Sequence, residues 1–215
     1  MGHPVGLPGQ LASAPSTLAG QGPRKKPQPA RSKPFHSMSS TVREVNTVPH
    51  ECRRVVTGHT PEGKSAVLYD LSLTLVAQDS AASSARQEDR AGAASRVMWT
   101  TQGFPADNDE TSDAGLRQVG TAQSEGTVFR VVEYAPGVTP RQHRTDSIDY
   151  AIVMSGSIEL ALDNDTVRLA TGDTLVQRGT IHNWINNGTE PCVIAFILIA
   201  ANPATANGTP LPAAG

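Results

Sequence analysis

From Thr127 onward the chain breaks into short apolar, β-branched runs divided by turn-forming pairs, and this rhythm limits the architecture more than any other feature. The runs are TVFRVVEY, DYAIVM, SIELALD, TVRLAT, DTLVQ, HNWIN and CVIAFILIA. Between them stand Ala135-Pro136-Gly137, Ser155-Gly156, Asn164-Asp165, Thr171-Gly172, Arg178-Gly179 and Asn187-Gly188. Side chains branched at Cβ fit a pleated strand, and Gly, Asn and Pro accept the dihedrals of tight turns. Such even spacing predicts an all-β antiparallel sandwich or barrel. The longest apolar run, Cys192 to Ala201, falls far short of the roughly 20 residues of a membrane-spanning helix. It reads as a buried strand.

Upstream the pattern is looser. RRVVTGHTPEGKSAVLYD predicts strand, turn, strand, with order beginning near Cys52, and RVMWTT predicts another strand. Residues 76–94 are polar and rich in Ala and Ser, which predicts a flexible loop or a short marginal helix; an acidic loop follows over about 105–126. Residues 1–37 carry five basic and no acidic side chains among many Pro and Gly. Such a segment cannot bury enough surface to offset its ordering entropy. The expected organisation is therefore a disordered extension over 1–51, one domain over 52–203 with its core at 127–200, and a frayed tail over 204–215. Met38, opening MSST, is a second candidate start.

A formal net charge of −2 and an ordinary composition give no sign of a nucleic-acid or membrane partner. Cys52 and Cys192 are far apart and form no CxxC, so two free thiols in a reducing, cytoplasmic setting are expected. The acid-free N-terminus leaves a mitochondrial address open, although its prolines oppose an amphipathic targeting helix.

Two histidines lie within the strand-rich part. His143 precedes Asp149 by six residues, roughly 20 Å on a straight strand at about 3.3 Å per residue. They can share a site only if the chain reverses between them, and Thr145-Asp146-Ser147 has the chemistry for a hairpin turn. His182, Trp184 and Asn186 would project to one face of an extended strand. If that face is interior, two imidazoles and a carboxylate meet, the ligand set of an iron(II) facial triad. The alternatives are hydrogen-bonded pocket histidines without metal, and an Asp149 paired with Arg144 or Arg141. Asn186 is a candidate for orienting His182, or a plain turn residue.

These stretches resemble the two cupin motifs. Gly137, His143, Thr145, Asp149 and Gly156 keep every spacing of G-x5-H-x-H-x3-E-x6-G. Gly172, His182 and Asn186 follow the second motif, with one residue missing before the histidine and Arg178 at the proline position. HRTDSIDY and VQRGTIHNW look like the small cupins of secondary-metabolite clusters, often called cupin-domain oxidoreductases. The resemblance implies a double-stranded β-helix (jelly-roll) barrel and His143, Asp149 and His182 as ligands of a divalent metal. Iron(II) is the leading ion, with manganese, nickel and zinc as alternatives. Thr145 replaces the second histidine and Asp149 the glutamate, which weakens the set and keeps a metal-free protein open.

The leading expectation is a metal-dependent oxidoreductase acting on a small polyketide-type molecule, with Thr145, Trp184 and Asn186 lining the substrate pocket. A metal-independent isomerase, dehydratase or decarboxylase using His143 or His182, and a non-catalytic ligand-binding cupin, are the rivals. The resemblance also implies a homodimer paired through N-terminal strands.

Overall fold

A computed structural model describes residues 50–77, 92–138 and 141–215. The N-terminal basic extension and most of the 76–94 segment lie outside the described residues. Within Asn46–Gly215, thirteen strands and one 3-10 turn (Ala114–Leu116) are found among the described residues.

Two strands open the fold as a hairpin, β1 (Glu51–His59) and β2 (Ser65–Thr74). Next come β3 (Val76–Ala77) and β4 (Ala93–Thr101), then β5 (Thr127–Tyr134) and β6 (Ser147–Ser155). The motif region continues through β7 (Ser157–Ala161), β8 (Thr166–Ala170), β9 (Thr174–Arg178), β10 (Asn183–Ile185) and β11 (Cys192–Ala200). A larger sheet in the order β3-β4-β5-β11-β6-β9 faces a smaller one, β10-β7-β8. Alternation along β6 shows why they pack: Ser147, Asp149, Ala151 and Val153 are buried, whereas Tyr150, Ile152 and Met154 are exposed. Side chains of opposite parity leave a strand on opposite faces, so one face closes the interior.

Strand β11 explains the uninterrupted apolar run. Its Cys192, Ile194, Phe196 and Leu198 join Val128, Val132, Ile158, Leu160 and Trp184 in the inner core. Its Val193 and Ala195 pack on the other side with Val131, Met98, Cys52 and Leu75. Both faces are covered, which is what a continuous apolar run demands. Both cysteines are free and buried. No helix among the described residues is long and apolar enough to cross a membrane.

Two expectations about order need correction. The tail beyond 203 is not frayed: β12 (Ala204–Ala206) and β13 (Thr209–Leu211) form a hairpin, and Ala214 then exchanges both backbone hydrogen bonds with Arg144. Asn207-Gly208, both at positive φ, supply a tight turn that a reading based on Pro, Ala and Gly content undervalues. The 76–94 segment is also not loop throughout, since Val76–Ala77 pairs with Ala94–Ser95.

Gly156 turns β6 into β7 at φ +77°, and a Cβ there would come within 3.0 Å of Cys192 Cα and closer still to the Pro191 carbonyl. Only glycine fits both the dihedral and the space. Gly156→Ala is expected to lower the unfolding free energy by about 2–4 kcal/mol, measured by urea denaturation.

Candidate active site

Residues 141–145 do not form the expected hairpin with β6. His143 instead makes an isolated antiparallel bridge to His182, each N–H donating to the other's carbonyl at 3.0 Å. Arg144 pairs with Ala214 on the other side, so this segment is a short strip held between two distant parts of the chain. β6 meanwhile spends its hydrogen bonds on β9 and β11. The chain does reverse between His143 and Asp149, but the partner that registers His143 is His182.

The bridge stacks the two imidazoles with ring centroids 4.1 Å apart at 49°. His143 Nδ1 lies 3.2 Å from the Arg141 carbonyl, and His182 Nδ1 lies 3.0 Å from that of Thr180. A carbonyl oxygen can only accept, so each Nδ1 carries the hydrogen, and Nε2 keeps a lone pair in the neutral ring. The Gln177 amide also contacts His182 Nδ1, and with Nδ1–H in place it is the amide oxygen that must face the ring. Burial, reinforced by the neighbouring His143, pushes the His182 pKa down to about 3, so this ring is neutral at physiological pH.

Both rings open on a cavity of about 100 Å³ within the barrel end. Asp149 and Thr145 line it, as do Trp184 and Phe196, whose rings meet edge to face at 5.4 Å. Asp149 is buried, and that burial raises its carboxyl above the usual range, against the opposing pull of the Ser147 hydroxyl and the Arg130 charge. The Ser147 hydroxyl sits 2.5 Å from Asp149 Oδ1 and 2.8 Å from Thr145 Oγ1. One hydroxyl proton cannot serve both contacts, so the three groups form a directional chain. While Asp149 is ionised, Ser147 donates to it and Thr145 donates to Ser147; when Asp149 takes up a proton the chain reverses and the Thr145 proton is left for the pocket.

The structure thus brings His143, His182, Asp149, Thr145 and Trp184 to one cavity. Yet no group of three or more His, Cys, Asp or Glu side chains among the described residues is arranged to hold a metal ion. Two imidazoles meet, while Asp149 is engaged by Ser147 and does not complete a set with them. As arranged, the donors do not fit a three-ligand metal centre.

Asn186 is the other correction. Its amide donates to the Tyr134 and Glu190 carbonyls at 2.9 Å, and its Oδ1 accepts from Gly188 N–H, so it ties the turn and does not line the pocket. β10 ends at Ile185, and period-two reasoning does not carry past a strand's end. Asn183 takes the expected polar place: it lines the cavity and its Oδ1 accepts from Arg141 N–H at 2.6 Å. Arg130 was legible but missed, since it occupies an inward position of TVFRVVEY between Val128 and Val132.

A barrel of this topology with its polar residues at the two motif stretches defines a cupin, and residues 130–199 match the family model described as "Cupin domain". The chain belongs to the cupin family. It is similar to the "Cupin-domain-containing oxidoreductase fogC" of Aspergillus ruber, 33% identical over 72% of this chain and 75% of that relative. It also resembles the "Cupin-domain-containing oxidoreductase srdD" of Neurospora crassa, 34% identical over 50% of this chain and 58% of the relative. The "Phomopsin biosynthesis cluster protein D" of Diaporthe leptostromiformis is 42% identical over 39% of this chain and 45% of its own length.

Proposed function

We propose that this cupin is an enzyme of the oxidoreductase-type group that its relatives are named for, acting on a small organic molecule from secondary metabolism, and that its own side chains move the protons. The observation that supports this is the close imidazole pair, with His182 held neutral by burial, sharing one cavity with a buried carboxyl. His143 Nε2 serves as base toward an acidic C–H or phenolic O–H, and His182, held neutral by burial, positions it through the backbone bridge. Asp149, through Ser147 and Thr145, supplies a proton or hydrogen bond to the oxygen on which negative charge collects. The resulting electron-rich anion is the species shared by isomerisation, dehydration and direct reaction with dioxygen.

Phenylpyruvate, whose benzylic C–H is acidic, tests this reading by deuterium exchange from solvent. Catalysed exchange should persist after exhaustive chelation, and protein loaded anaerobically with iron(II) should hold far less than one ion per chain. Exchange that disappears on chelation, or a stoichiometric ion lost in both His143→Ala and His182→Ala, would instead support the metal-dependent reading with His143, Asp149 and His182 as ligands.

We further propose a homodimer through the first hairpin. Val55, Val67, Leu68 and Leu71 are exposed on β1 and β2, and a lone two-stranded sheet gains stability by covering such surface. Light scattering should give twice the chain mass, and Val67→Glu/Leu68→Glu should give the monomer mass.

A further inference from the structure

The charge inside the cavity is unbalanced. Arg130 and Arg141 both line it, and among the described residues Asp149 is its only acidic one. The rest of the wall that matters is apolar or weakly polar: Val132, Tyr134, Trp184 and Phe196. Arginine carries its charge at every working pH, and the two imidazoles add none while they stay neutral.

Each cation is placed by the fold. Arg130 enters from an inward position of β5, and its Nη2 donates to the Gly120 carbonyl, which ties the guanidinium to the loop whose Thr121 lines the cavity. Arg141 is set by the Asn183 side chain, which accepts its backbone N–H. Both arginines act electrostatically on Tyr134 in the cavity wall, Arg130 also acts on Asp149, and Arg141 also acts on His182. Their fields therefore overlap in the space a ligand would fill. A guanidinium offers five donors in a planar fork suited to a carboxylate, and its strength grows where water is displaced.

We propose that the ligand of this pocket is an organic anion, a carboxylate or phenolate on an aromatic-sized apolar body, with its charge held by Arg130 and Arg141 and its ring against Trp184 and Phe196. This rests on the pocket being the substrate site proposed above, and it adds the substrate's charge and shape. A cationic ligand would meet repulsion there, and a sugar-like one would leave hydroxyls against the apolar wall.

Isothermal titration of the full chain with 1-naphthoate and its uncharged isostere 1-naphthamide tests the proposal without needing turnover. Naphthoate should bind at least about tenfold more tightly, and the preference should shrink as salt is raised. Arg141→Gln and Arg130→Gln should each weaken naphthoate about tenfold to a hundredfold while naphthamide changes little, and Arg130→Lys should keep part of the preference. Melting temperatures confirm that each variant is folded. Equal affinity for acid and amide, binding of neither, or a preference that survives the double Arg130→Gln/Arg141→Gln change would overturn it. The two readings fail separately: a naphthoate preference without phenylpyruvate exchange would support this proposal and overturn the proton-transfer reading, and exchange without the preference would do the reverse.

Discussion

Trp184→Ala is expected to cost about 3–5 kcal/mol of stability, the largest loss of any single change at this end of the barrel. The indole is 5% exposed and joins the inner core from β10, the shortest strand of the smaller sheet. It meets Phe196 at 5.4 Å, Tyr134 at 6.1 Å and His182 at 6.1 Å, so its removal deprives strands of both sheets of a shared partner. Surrounding side chains are anchored to strands and can relax only partly into the hole. Urea unfolding with an unchanged m-value is the measurement, and Trp184→Phe should recover much of the loss. A cost below about 1 kcal/mol would mean that the indole is peripheral to the core.

The second large effect concerns chemistry. His143→Ala should slow deuterium exchange into phenylpyruvate by about 10²–10⁴-fold, the usual contribution of a positioned general base. Its fold should survive, because the bridge to His182 runs through the backbone and does not involve the side chain. His182→Ala should make the fold less sensitive to acid. In the native chain His182 is neutral down to about 3, whereas in the unfolded chain it takes up a proton near the ordinary value of 6.5. The unfolded state therefore binds more protons as pH falls through that window, and stability drops by up to about 1.4 kcal/mol per pH unit. Asp149 works in the opposite sense. Its raised native pKa means that its contribution declines as pH rises above the unfolded carboxylate value, so its loss does not explain acid sensitivity.

Most of the barrel was legible because period two survives wherever one strand face is buried and the other is wet. The β6 residues Asp149, Ala151 and Val153 illustrate it, and β11 shows the exception of two covered faces. The glycines of the first motif were legible for a local reason, since Gly137 and Gly156 both sit at positive φ. What sequence patterning could not supply was partnership at long range. Nothing local says that His143 pairs with His182 and not with the start of β6, or that Arg144 reaches Ala214. Asn186 was misplaced because a three-residue strand offers too little pattern to extrapolate. The Ser147 hydroxyl escaped notice because its importance comes from standing between Thr145 and Asp149, a relation that appears only once the turn is folded.

The proton-moving role rests on two imidazoles that hold their hydrogen on Nδ1, with His182 kept neutral by burial. Histidine ¹⁵N NMR of the labelled full chain, titrated from about pH 7 to about pH 4, reads this directly at His182 and His143. An Nδ1-protonated, Nε2-bare signal is expected for His182 from neutral pH to the acid end, and the Nδ1–H tautomer for neutral His143. A His182 that titrates near 6.5, or that carries its hydrogen on Nε2, would contradict it.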